Sequence, residues 1–388
     1  MRQQVVGVNP NVLRWARERA GKSVADVARA MKKPPATVDA WEAGETAPTY
    51  RQLEDLAYKV FKRPVAVFFF PEPPPEPTAQ RSFRTLPDAE IETLSSQTLF
   101  RVREARALQA SLRELYGDQN PSARPILQEI ASSGPRSAPA VAARVRKSLG
   151  VSVDRQTREW RTSAEAFKGW RSALEDTGVF VFKESFKQRS VSGFCLHDDA
   201  FPLIVVNNGS SLTRQAFTLF HELGHLLSGT SGVTMVDDRF VEELRGSDRS
   251  IEVFCNELAA EVLVPGDDFR LRSHGVQADD PGIARLAETY KVSRETILRR
   301  LLNLGRVTQT FYEAKAKEWR QDFERSRKQA GGGDYYATKA TYLSPTYFRE
   351  VFSRYYQGRI PLDRVAEYLG VKSASVAGLE QVLLESAV

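Results

Sequence analysis

The chain has 388 residues, of which 41% are apolar and 27% charged, with a formal net charge of +6. These values describe a soluble protein of two or three domains with ample core. No apolar run reaches membrane length and the opening MRQQVVGVNPNVLRWARERAG has no signal-peptide pattern, so secretion and membrane insertion are not expected and a cytoplasmic setting is. The two cysteines, Cys195 and Cys255, form no Cys-x-x-Cys pair, which suits a reduced compartment and reads as two buried small residues.

Residues 9 to 62 carry apolar positions at helical spacing: Leu13, Ala16 and Ala20; Val24, Val27 and Ala28; Val38 and Trp41; Leu53, Leu56, Ala57 and Val60. Four short helices are predicted, with Ser23 as N-cap of the second and Asp26 three residues on, and Gly44 closing the third. The stretch TVDAWEAGETAPTYRQLEDLA resembles the lambda-repressor-like, or XRE, helix-turn-helix family, which commonly reads T-I-S-R-W-E-x-G-x-x-x-P-x-x-x-x-L-x-x-L-A. The resemblance implies an all-α DNA-binding domain over residues 1–70. It departs from the family at Val24 and Pro35, which stand at Gln positions, and at Ala36, Asp39 and Ala40 on the face that reads bases. Such side chains read little, and Asp repels phosphate. The counterweight is charge: residues 1 to 70 hold 12 Lys and Arg against 7 Asp and Glu, a net of +5. Arg14, Arg17, Arg19, Lys22, Lys32 and Lys33 are the candidate phosphate contacts, with protein contact by a retained fold as the alternative.

Pro71 to Pro77 reads as a semi-rigid polyproline spacer, giving a linker over 71–80, and Phe68, Phe69 and Phe70 before it read as the apolar end of the first domain. A helical connecting region follows over 81–159, with one long helix expected at 88 to 116 and a return to Pro, Ser and Ala at 121 to 140.

FTLFHELGHLLSG holds His221 and His225 one helical turn apart, with Glu222 beside the first. Phe217, Phe220, Leu223, Leu226 and Leu227 recur at spacings of three and four, so the segment is a half-buried helix whose two imidazoles face the same way. Neutral imidazoles hold Zn²⁺ without cancelling its charge, and three protein ligands leave a position for water. Glu222 would take the proton of that water and pass it to a leaving amine. The next helical segment offers Glu252, Glu257 and Glu261 as sources of a third ligand.

That segment, EVFCNELAAEVLVP, is similar to the E-x-x-A-N-x-F-A-x-x-L-L-M-P of the ImmA/IrrE metallopeptidase family, with Cys255 in place of Ala and Leu258 in place of Phe. By position the resemblance makes Glu252 the third ligand, leaving Glu257 a lesser candidate and Glu261 a solvated carboxylate. It extends upstream through GVFVFKESF and VSGFCLHDDAFPLIVVNNG and implies a zincin-like core within residues 160–310, with Zn²⁺, or another divalent ion such as Mn²⁺, as cofactor. Val179 to Phe182 and Pro202 to Val206 have the composition and length of strands. In zincins an edge strand before the motif helix pairs with substrate, and Leu203 to Val206 sits there, although an ordinary core strand would read the same.

Beyond Pro265 the chain reads as helical, with helix-turn-helix spacing over Ile283 to Val307, where Arg294, Arg299, Arg300 and Arg306 form either a nucleic-acid contact or solvated helix faces. His197 and His274 read as solvated. A glycine run at 331 to 333 marks a break before an aromatic-rich helical region over 311–388, core or ligand box, that could sense or dimerise. The expected fold class is multidomain and mainly α with a small α+β core. The resemblance implies an endopeptidase that cleaves a transcriptional repressor to release stress or mobile-element genes. The alternative is a DNA-binding regulator or antitoxin that uses the peptidase fold as a sensor or scaffold.

Overall fold

The computed structural model describes residues 4–79, 83, 86–131, 137–236, 239–326 and 334–386. The glycine run at 331 to 333 and residues 132 to 136 of the Pro, Ser and Ala stretch lie outside them. Contacts divide the chain into two compact units, Met1–Ser82 with Leu86–Glu104, and Phe83–Thr85 with Ala105–Val388. The protein is multidomain and mainly α with one small sheet.

The first unit opens with α1 (Pro10–Arg19), α2 (Val24–Met31), α3 (Pro35–Ala43) and α4 (Tyr50–Glu54), the last running on through a π-helical turn, Asp55–Phe61. Ser23 and Asp26 close a capping box on α2, and Gly44 takes the left-handed conformation after α3. Val12, Leu13, Ala16, Val27, Val38, Trp41, Leu53 and Leu56 meet in the core, where Phe68 is also fully buried. Phe69 and Phe70 are exposed, so the apolar triplet divides. The proline segment is not a free spacer: Glu76 accepts a 2.7 Å hydrogen bond from Arg63, whose guanidinium stacks on Trp15. The single helix expected over 88 to 116 is two, α5 (Asp88–Glu92) and α6 (Ser96–Tyr116). Ser95 restarts the chain by accepting a hydrogen bond from the backbone N–H of Thr98, as N-cap residues do.

In the second unit α7 (Ile126–Ala131), α8 (Ala138–Ser148) and α9 (Ser163–Asp176) precede β1 (Phe180–Glu184), β2 (Val191–Leu196) and β3 (Leu203–Asn207). Then come α10 (Leu212–Leu227), β4 (Val233–Met235) and α11 (Gly246–Leu263). The strand order is β1-β3-β2-β4, with β3 parallel to β1 and antiparallel to β2. This corrects one expectation: Leu203 to Val206 lies in the middle of the sheet, with both backbone edges paired, and cannot take up a peptide. Its unbroken apolar run is that of a strand buried on both faces. Among the described residues the outer strand beside α10 is β4, which pairs only with β2.

The chain continues through α12 (Gly266–Ser273), α13 (Asp280–Tyr290), α14 (Arg294–Asn303), α15 (Gln309–Ser326), α16 (Tyr335–Tyr342), α17 (Pro345–Tyr356), α18 (Leu362–Leu369) and α19 (Val376–Ser386). Of the four arginines of the α13–α14 region, Arg294, Arg299 and Arg306 are exposed, as solvated helix faces would have them, and Arg300 is buried, yet each has a partner within the chain. Arg294 stacks on Trp319 and Arg299 on Tyr312, Arg300 pairs with Glu261 at 2.7 Å, and Arg306 donates to the Ser273 carbonyl. The C-terminal helices dock through a buried arginine. Arg171 of α9 donates to the carbonyls of Val181, Thr341 and Leu343, while Glu175 accepts from the N–H of Thr346. Tyr347 and Phe352 are fully buried, so that part of the aromatic region is core, whereas Tyr335 and Tyr356 are exposed.

Candidate metal centre on two packed helices

Helix α10 is held at its start by Ser211, whose hydroxyl accepts from the N–H of Arg214. The Arg214 side chain donates to the Ser192 hydroxyl and to the Met235 carbonyl, fixing the helix to β2 and β4. Helix α11 lies against α10 and is held at its other end, where Arg146 donates to the Val262 carbonyl, Gln156 to that of Leu263 and Arg300 to that of Val264. These carbonyls are ones a helix end leaves without partners. The two helices approach closely at Gly224: a Cβ there would stand 2.8 Å from Cys255 Sγ and 3.0 Å from Cys255 Cα.

This packing brings His221, His225 and Glu252 to one point. The two Nε2 atoms are 3.2 Å apart, and the Glu252 carboxylate lies 3.3 Å from that of His221 and 3.4 Å from that of His225. All three residues are buried. An ion held tetrahedrally at about 2.0–2.1 Å by nitrogen and oxygen has donor–donor edges of about 3.3–3.4 Å, so the triangle has the size that Zn²⁺ requires. His221 Nδ1 donates to Asn256 Oδ1 at 3.1 Å, which turns its unprotonated Nε2 to the other two donors. The His225 ring is fixed by backbone instead: a Cβ on Gly232 would fall 2.3 Å from its Cδ2. Burial opposes charge on both imidazoles. For His221 the hydrogen bond and charge of Glu252 outweigh it, raising the pKa above the ordinary value, whereas His225 is lowered.

The donor atoms of His221, His225 and Cys255 also lie within 4.8 Å of one another. Burial holds the Cys255 thiol well above its usual pKa, so it is a neutral group packed against Gly224, and the Glu252 carboxylate, 3.3 and 3.4 Å from the two imidazoles, is the better donor. Of the other carboxylates, Glu257 is exposed on the wall of the groove described below. Glu261 is not a solvated carboxylate: it pairs with Arg300 and accepts from the N–H of Gly266.

Glu222 is fully buried, and its Oε1 accepts a 2.6 Å hydrogen bond from the Thr234 hydroxyl on β4. A groove of about 2310 Å³ runs past His221, Glu252, Asn256, Thr234 and Met235. Thr234 carried no sequence signal, since a three-residue strand lacks a period. Asn256 did, standing four residues after Glu252 and so on the same helix face. In the first unit Arg17 is removed from the phosphate contacts. Its Nε and Nη2 grip Glu42 at 2.7 and 2.9 Å, joining α1 to α3, and Arg14 donates to the Glu42 carbonyl. Lys22 is half-buried, Lys32 and Lys33 are exposed, and His197 is half-buried and His274 exposed.

A helical unit with a short helix-turn-helix pair, joined to an α+β unit in which a His-Glu-x-x-His helix crosses a glutamate-bearing helix, is the architecture of a regulator fused to a metallopeptidase-type domain. The comparisons agree. The profile of the IrrE N-terminal-like domain of the M78 peptidases matches residues 174–302, and that of a helix-turn-helix domain matches residues 11–58. The chain thus carries an N-terminal helix-turn-helix domain and an IrrE N-terminal-like domain. No curated protein matches it. Among the described residues no helix is long and apolar enough to cross a membrane.

Proposed function

We propose that this protein is a metal-dependent endopeptidase, acting in the cytoplasm, that cuts a regulatory protein such as a transcriptional repressor to switch on stress or mobile-element genes. The observation that carries the reading is the donor triangle, with edges of 3.2 to 3.4 Å and a buried glutamate one residue from its first member. His221, His225 and Glu252 would hold Zn²⁺ or a similar divalent ion, which supplies an acidified water and polarises the scissile carbonyl. Asn256 keeps the proton of His221 on Nδ1. Thr234 steadies Glu222, which accepts the proton of the attacking water and returns it to the departing amine. The substrate lies extended in the groove and pairs with the outer edge of β4, so that backbone hydrogen bonds supply affinity and the groove wall selects side chains.

The test compares wild type with Glu222→Gln in the native host at equal metal content, following by mass spectrometry which proteins gain new termini under stress. Removal of the base is expected to slow cleavage by about 10² to 10⁴ and to abolish the new termini. An unchanged set of termini with an unchanged transcriptional response in both strains would make the chain a DNA-binding regulator that uses the peptidase fold as a scaffold.

A further inference from the structure

We propose that the helix-turn-helix unit holds duplex DNA through its phosphates alone and does not select a base sequence. In such a pair the second helix enters the major groove, and its exposed side chains read the base edges. Here that helix is α3, and its exposed positions are Pro35, Ala36, Asp39 and Ala43. The half-buried Thr37 is the one neutral hydrogen-bonding side chain outside its core, Trp41 being buried, and Glu42 is buried against Arg14 and Arg17. The Arg, Lys, Asn and Gln side chains that discriminate guanine and adenine are absent from α3. Pro34, the residue before it, and Pro35, its first residue, also bring no backbone N–H to a phosphate.

The cations sit around this helix and not on it. Lys32, in left-handed conformation at the end of α2, and Lys33 form the turn between the two helices and are exposed; Lys22 stands just before α2. Among the described residues none of the three is in an ion pair, whereas Arg17 is taken up by Glu42 and Arg29 by Asp26. Three unpaired ammonium groups beside a helix without guanine or adenine readers fit a surface of regularly spaced phosphates, which carries charge but no sequence information. The inference rests on the helix-turn-helix unit contacting DNA and is independent of proteolysis.

The experiment uses the full chain. Affinity for a pool of random-sequence 30-base-pair duplexes is measured by fluorescence anisotropy between about 50 and 200 mM salt. The same pool then goes through repeated selection and sequencing. Expected are binding to the pool, no selected sequence preferred by more than about tenfold, and loss of salt dependence in Lys22→Ala/Lys32→Ala/Lys33→Ala. With each lysine contributing about 0.9 to the slope, wild type should lose about forty-fold more affinity than the triple variant across that fourfold salt range. Three results would overturn the proposal: a sequence preferred a hundredfold or more, a triple variant with unaltered salt slope, or no duplex binding at the lowest salt. The last would assign the unit to a protein partner. None of them bears on whether Glu222 supports cleavage, which the terminus experiment decides alone.

Discussion

Asn256 shows how much of the candidate metal centre lies outside the residues proposed to hold the ion. It neither carries charge toward the donor triangle nor belongs to it, yet its Oδ1 fixes which nitrogen of His221 holds the proton. Loss of such a partner commonly costs 10- to 100-fold in metal affinity. Asn256→Ala is therefore expected to weaken Zn²⁺ binding by about that factor in a competitive chelator titration, while Asn256→Asp, which still accepts the hydrogen bond, retains most of it. An equal affinity in wild type and Asn256→Ala would mean that packing by itself orients the imidazole. The His225 ring is such a case, since its Nδ1 has no hydrogen-bond partner among the described residues and Gly232 lies flat against it.

The critical relation between elements is the closeness of α10 to α11, because Glu252 reaches the histidines only if the helix axes approach. Gly224 permits it, standing inside the His-Glu-x-x-His segment where a methyl group would collide with Cys255. Gly224→Ala should destabilise by about 1–3 kcal/mol through overpacking. Read as a shift in denaturation midpoint, the loss should fall only partly in a Cys255→Ala background, since the contact at 3.0 Å with the Cys255 Cα remains. It should also lower metal affinity by separating Glu252 from His221. If Gly224→Ala keeps both stability and affinity, the helices have room that this packing denies them. The sheet adds a second relation: β1, one outer strand, is contacted by the docked C-terminal helices, and β4, the other, borders the groove. Covering one edge guards against edge-to-edge association, and among the described residues no strand pairs with the other.

Across the whole second unit, docking of the C-terminal helices depends on Arg171 and Glu175, which bond to Thr341, Leu343 and Thr346. Breaking a buried ion pair from one side leaves an uncompensated charge, at a cost of about 3–5 kcal/mol, whereas replacing both partners by apolar groups is often neutral. Arg171→Met is expected to release α16 and α17, seen as lost hydrogen-exchange protection over Tyr335–Tyr356 before α10 opens, and Arg171→Met/Glu175→Met to recover most of it. Simultaneous loss in α10 would show that the C-terminal helices and the metal centre unfold as one.

The chain's own pattern determined the helix-turn-helix unit, the motif helix and the existence of the glutamate helix, because these signals are local: caps, a 3.6-residue period and the four-residue spacing of the two histidines. His221, Glu222 and His225 were legible as candidates for that reason, whereas the pattern left Glu252, Glu257 and Glu261 open and only the resemblance singled out Glu252. Only the tertiary structure decided which strand is outermost, since the unbroken apolar run of β3 fits a central strand and an edge alike, and the three residues of β4 are too few to show alternation. It also decided the fate of the arginines. Charge along a sequence does not say whether a guanidinium meets water, an aromatic ring or a buried carboxylate, and here Arg17, Arg171 and Arg300 bind groups 25 to 172 residues away.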